Sequence, residues 1–196
     1  MPDPLPFIDK AKIRDIHQTL LIPKEKTIYL HFGALEERKG TLDILKAILI
    51  SEKKELENKA FVFAGLVGTS IKEQFYNLVG EGMAKTTIKI YDEFCDNDFL
   101  YNLCYTCDCI LIPYKNTIQS SGVLGYASYF QKPVIGPNKN LLGRLISDNK
   151  LGIIIEDVSP EGLKDALMKD LPLCSSQYAS NHKIKDFNNI IYNQLL

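Results

Sequence analysis

Short apolar runs recur along this chain, and between them apolar residues return every three or four positions. The runs are TIYLHFG (27–33), AFVFAGLVG (60–68), TIKIYDEF (87–94), CILIPY (109–114), PVIG (133–136) and LGIIIED (151–157). Each is the length of a strand buried on both faces. The intervening segments read as amphipathic helices. TLDILKAILISEKKEL (41–56) carries Leu42, Leu45, Ile48 and Leu49 on one face, and SIKEQFYNLVGEGMA (70–84) carries Ile71, Phe75, Leu78 and Val79. DNDFLYNLCYTC (96–107) opens on an Asp or Asn cap, and SPEGLKDALMKD (159–170) places Ser159 at the cap and Pro160 at the first helical position. A helix after Ser120-Ser121-Gly122, another over NLLGRLISDN (140–149) and a helical close from Gln177 onward complete the pattern. Six strands alternating with six or seven helices predict one α/β domain, a doubly wound Rossmann-like parallel sheet with right-handed crossovers. Residues 1–25, with three prolines in the first six positions, read as a linker or lead-in segment ahead of a domain over 26–196.

Bulk properties narrow the function. The chain has 196 residues, 24% charged and 45% hydrophobic, with a net charge of −1. Lys and Arg are scattered, which argues against a nucleic-acid partner. No apolar run approaches the ~18 residues of a membrane span. The N-terminus lacks a signal-peptide layout, so the expected location is cytoplasmic. Four of five cysteines (Cys95, Cys104, Cys107, Cys109) lie close together, with Cys174 apart. Cys104 and Cys107 close a helix and Cys109 opens a buried strand, so they read as reduced core thiols, with no metal expected.

In a parallel sheet, ligands sit in the loops that leave the strands' carboxyl ends. Two such loops suit a phosphate. Gly33-Ala34-Leu35-Glu36-Glu37-Arg38-Lys39-Gly40 brings Lys39 just ahead of a helix N-terminus, although taken alone it also reads as a solvated charged loop. Gln119-Ser120-Ser121-Gly122 offers hydroxyls and backbone N–H groups, or simply an ordinary helix cap. His31 lies inside a strand and reads as a packed core residue; His17 and His182 have no assigned role. The G-x-S-x-G, G-x-x-x-x-G-K-[ST] and strict G-x-G-x-x-G motifs are absent, which disfavours a hydrolase, a P-loop NTPase and a dehydrogenase.

HFGALEERKGTLDILKAI, the FVFAGLVG-to-CILIPY succession and SSGVLGYASYFQKPVIG together resemble the C-terminal, donor-binding half of GT-B glycosyltransferases, in particular the retaining group 4 glycosyltransferases. The likeness covers residues 26–196. It implies half of a two-domain enzyme that transfers a sugar from a nucleotide-diphosphate sugar to a glycan or lipid-linked acceptor, with retention and without metal or other cofactor. By the resemblance, Lys39 holds the donor diphosphate and Gln119 takes a polar catalytic role. Arg38 reaches in from the first loop, and Gly33, Ser120, Ser121 and Gly122 contact donor phosphates or sugar. Gly65, Glu93 and Phe94 flank base and ribose, and Tyr126 stands near the ribose. Three departures stand out: Ala34 replaces an Arg, and Ile118 and Tyr126 fall where the family has a pair of glutamates.

The resemblance also implies an N-terminal acceptor domain that this sequence does not include. The chain alone is therefore expected to bind nucleotide weakly and transfer nothing. The full-length protein would be the transferase, and peripheral membrane association would be a property of the intact protein. The alternative is a non-catalytic nucleotide-binding or interaction module on the same fold. A flavodoxin-like receiver is disfavoured, because Gly33-Ala34 follow the first strand where a receiver needs acidic residues.

Overall fold

The computed structural model describes residues 8–115 and 121–180. Six strands form one sheet: β1 (Thr27–Phe32), β2 (Lys59–Ala64), β3 (Thr87–Tyr91), β4 (Cys109–Leu111), β5 (Val134–Pro137) and β6 (Gly152–Ile155). All pairings are parallel and the order is β3-β2-β1-β4-β5-β6. The chain thus winds outward from β1 to β3, returns beside β1 as β4 and winds outward the other way. That reversal opens a crevice between β1 and β4 at their carboxyl ends, where a doubly wound sheet takes its ligands.

The helices are α1 (His17–Leu20), α2 (Thr41–Ile50), α3 (Lys72–Gly82), α4 (Asn97–Thr106), α5 (Val123–Tyr129), α6 (Asn140–Asp148), α7 (Pro160–Leu167) and α8 (Gln177–Ser180). Apart from their first residues, β1 and β2 are fully buried, the mark of central strands covered on both faces. Because successive side chains alternate, the sheet builds two cores. Ile28, Leu30 and Phe32 meet Leu103, Cys104, Leu124, Ala127 and Tyr178 on one side. Tyr29, Phe61 and Phe63 meet Ile44, Ile48, Phe75 and Leu163 on the other.

The lead-in contributes to the first core through Ile16, Leu20 and Ile22. Its backbone is tied to α4, where Thr106 Oγ1 accepts from Ile16 N–H at 3.0 Å and Asn102 Oδ1 from Arg14 N–H at 2.7 Å.

The expected caps are in place: Asp96 accepts from Phe99 N–H, and Ser159 accepts from Gly162 N–H ahead of Pro160. One expected helix is shorter than its apolar period. Over 41–56, α2 stops at Ile50, Ser51 turns extended with its hydroxyl on Ala47 O, and a capping box between Glu52 and Glu55 opens a separate 3-10 turn over Lys53–Leu56. Local capping there outweighs the helical pattern.

Candidate functional site

The crevice is flanked by the loops that leave β1, β2 and β3 and by the first residues after β4, joined to one another by hydrogen bonds. Leu35 N–H donates to Leu66 O at 2.9 Å and Gly68 N–H to Leu35 O at 2.9 Å, joining the first two loops. Gly33 (φ 93°) and Gly65 (φ 135°) both lie in the left-handed region that favours glycine. Asp92, just after β3, accepts from Val67 N–H at 2.8 Å and Tyr76 Oη at 3.0 Å, and pairs with Lys72 at 2.7 Å. The Lys72 ammonium, then the Val67 amide, hold its carboxyl below the ordinary range.

On the other wall the chain leaves β4 through Ile112-Pro113 and turns at once, with Tyr114 N–H on Ile112 O at 2.7 Å. Gly40 (φ 72°) packs so closely that a Cβ there would lie 2.2 Å from Pro113 O. Lys115 N–H donates to Arg38 O at 2.9 Å, and the Lys115 ammonium pairs with Asp43 in the first turn of α2 at 2.8 Å. The β1 and β4 loops are thereby locked edge to edge.

Lys39 ends a 3-10 turn over Glu37–Lys39, immediately before Gly40 caps α2. Its ammonium lies 5.4 Å from the centroid of the Tyr114 ring and 3.1 Å from the point where a Cβ of Gly33 would stand. Among the described residues no carboxylate pairs with it. Burial, then the neighbouring Arg38 charge, lowers its pKa. The ammonium is thus half-buried over a π face and just ahead of a helix N-terminus, and no described carboxylate pairs with it. Arg38 itself is exposed and pairs with Glu36 at 2.6 Å, so it stands at the rim.

Beneath the loop lies His31, buried in β1. Its Nδ1 is 2.8 Å from Leu111 O and its Nε2 3.0 Å from Thr41 Oγ1, whose hydroxyl reaches Glu36 O at 3.0 Å. The ring stands edge-on to Phe63 at 6.0 Å. His31 is a core residue, as its place in the strand implies, and it also ties β4 and the start of α2 to the strand below Lys39.

The remaining expected residues divide by place. Gly33, Gly65, Arg38 and Lys39 are brought together on the β1 and β2 side. Glu93 and Phe94 lie on the exposed loop after β3, with Phe94 85% exposed. Ser121 and Gly122 precede α5, where Val123 N–H meets Ser121 Oγ at 3.3 Å. Tyr126 is half-buried on α5, edge-on to Phe32 at 5.9 Å and 6.0 Å from Tyr101; burial raises its phenol to about 12. Ile118, Gln119 and Ser120 lie outside the described residues.

Sequence reasoning passed over Asp92, which braces the β2 turn, and Tyr114, which floors the Lys39 site. The available signal for Tyr114 was an aromatic residue directly after a strand-ending proline, on the strand where the sheet order reverses.

The cysteine cluster is dispersed into the core. Cys104, Cys107, Cys109 and Cys174 are buried and Cys95 half-buried, all as free thiols. Among the described residues no group of three or more His, Cys, Asp or Glu side chains could hold a metal ion. No described helix is long and apolar enough to cross a membrane.

The sheet order and the loops at its switch point define one half of a GT-B fold. Residues 12–172 match the family described as glycosyl transferases group 1, and the chain belongs to that family. No curated protein matches it. Among solved structures it is similar to HepE of Anabaena in complex with UDP and glucose (14% identity, TM-score 0.72, 96% of this chain and 53% of that one). It is also similar to the C-terminal domain of the group 1 glycosyl transferase LpcC of Francisella tularensis (18%, 0.64, 83% and 82%). A third is WaaG, a glycosyltransferase involved in lipopolysaccharide biosynthesis (19%, 0.63, 95% and 50%). At these identities the likeness is one of fold. The chain spans about half the length of HepE and WaaG.

Proposed function

We propose that this chain is the donor-binding half of a glycosyltransferase that moves a sugar from a nucleotide-diphosphate sugar to a glycan or lipid-linked acceptor. The observation that carries the reading is the Lys39 ammonium, unpaired among the described residues and held at the sheet's switch point over Tyr114. A diphosphate seated there would supply the missing counter-charge. As the bond to the sugar breaks, negative charge grows on the leaving diphosphate, and a fixed ammonium stabilises that change without reorganising. The α2 N-terminus adds partial positive charge from the same side.

In this reading Gly33 leaves room for the phosphates beside Lys39, and the Gly65 turn with Glu93 and Phe94 flanks base and ribose. Ser121 and Gly122 face the sugar side, with Gln119 and Ser120 in the polar role that the resemblance implies. Transfer proceeds with retention and without metal. The donor domain runs over 26–196, with residues 1–25 leading in from an N-terminal acceptor domain that supplies the second wall of the cleft. The setting is cytoplasmic, with the acceptor reached at a membrane surface by the whole protein.

Sugar transfer by the protein carrying both halves, abolished by Lys39→Ala, would support the enzyme. Nucleotide binding that depends on Lys39 with no transfer to any acceptor would instead favour a non-catalytic module, the reading that Ala34, Ile118 and Tyr126 motivate.

A further inference from the structure

Tyr114 carries a polar group that the fold does not use. The residue is only 8% exposed, and its buried hydroxyl makes no hydrogen bond of ordinary geometry. Burying a hydroxyl unpaired costs about 1–3 kcal/mol, and phenylalanine would fill the same space without that cost. The position is not incidental. The turn at Pro113, wedged against Gly40, drives the ring under the β1 loop, where its face carries the Lys39 ammonium at 5.4 Å. Ser121, at the mouth of the α5 loop, is close enough to act on the phenol as a hydrogen-bond partner would, although no hydrogen bond of ordinary geometry forms between them, and the Arg38 charge acts in the same direction. The hydroxyl is thus a buried, unmet donor on the same ring that carries the Lys39 ammonium, which no described carboxylate pairs.

We propose that the Tyr114 hydroxyl is a binding contact of the site: it donates a hydrogen bond to a phosphate oxygen of the diphosphate that Lys39 holds. The inference rests on the donor-site reading above and adds a residue to it. The ring positions the ammonium, and the hydroxyl completes the anion's shell. A charge-assisted bond of this kind also supplies direction that a flexible lysine alone lacks.

The test is an NMR titration of this chain with inorganic pyrophosphate and with UDP, on wild type, Tyr114→Phe, Tyr114→Leu and Lys39→Ala, with the melting temperature of each. Tyr114→Phe keeps the ring and removes only the hydroxyl. It should weaken pyrophosphate binding about tenfold, as for one hydrogen bond to a charged group, while melting no lower than wild type. Tyr114→Leu should weaken it further. Pyrophosphate binding that Tyr114→Phe leaves unchanged but Lys39→Ala abolishes would overturn this assignment and leave the donor reading standing. A wild-type chain that takes up neither pyrophosphate nor UDP at millimolar concentration would overturn both. A Tyr114→Phe variant that melts well below wild type would show the hydroxyl to be structural and overturn the assignment.

Discussion

A Cβ placed on Gly65 would stand 2.0 Å from the carbonyl oxygen of Gly33, so the first two loops of the site meet at a distance only glycine allows. Gly65 also sits at φ 135°, where any L side chain is strained. Gly65→Ala should therefore destabilise the fold by about 3 kcal/mol or more, read as a fall in the denaturation midpoint. Gly33→Ala meets only the movable end of Lys39, at 3.1 Å, besides its own backbone strain. It should cost less stability than Gly65→Ala while displacing the ammonium and impairing anion binding. Equal stability losses for the two would contradict this account of the turn.

His31 sets a pH dependence. Burial pushes its pKa down to about 4; the bond to Leu111 O opposes this and the Lys39 charge adds to it. The imidazole is thus neutral in the folded state, while in the unfolded chain it takes a proton near pH 6.5. Its contribution is fully present above pH 6.5 and is lost as pH falls from there toward 4, about 3 kcal/mol over the window. The neighbours that face it are Lys39, Thr41, Phe63 and the Leu111 carbonyl. Urea denaturation across that range should show the loss, and His31→Asn should flatten it. Carboxylates such as Asp92 and Asp15, with lowered pKa, lose their contributions only at lower pH.

The thiols give a chemical test. Burial pushes Cys107 up to about 12 and Cys174 to about 11, and holds Cys104 and Cys109 well above the ordinary range. At pH 8 a thiol reagent should modify Cys95 first and reach the other four only on unfolding. Rapid native labelling of several thiols, or zinc retained at one equivalent, would contradict the packing described.

Lys39 should be a residue that function keeps at stability's expense. An ammonium withdrawn from water without a carboxylate partner opposes folding. Lys39→Met, which retains the stem over Tyr114, should melt at or above the wild-type temperature while losing anion binding. A clear drop in melting temperature would show the ammonium to be satisfied in the free protein.

The strands and most helix starts were legible because buried parallel strands are continuous apolar runs and because Asp96 and Ser159 cap where caps are needed. The strand order followed from the alternation of strands and helices only as a class. Which strands flank the crevice was set by pairings such as Tyr29 with Cys109, distant in sequence. The end of α2 at Ile50 was hidden, since the apolar period runs on while Ser51 and Glu52 redirect the backbone. In the candidate site, Lys39, Gly33 and Gly65 stood out from their loops. Tyr114 and Asp92 were not, because what marks them is what lies across the crevice: an ammonium over a ring, and an amide from the neighbouring turn.

The most direct test of the central claim is a calorimetric titration of this chain with UDP, GDP, ADP and CMP, repeated on Lys39→Ala. The account predicts weak binding, millimolar or tighter, of one nucleoside diphosphate, lost in the variant; the base that binds names the donor. A nucleotide bound equally well by Lys39→Ala would contradict the assignment of the diphosphate to this lysine, and with it the site proposed between β1 and β4.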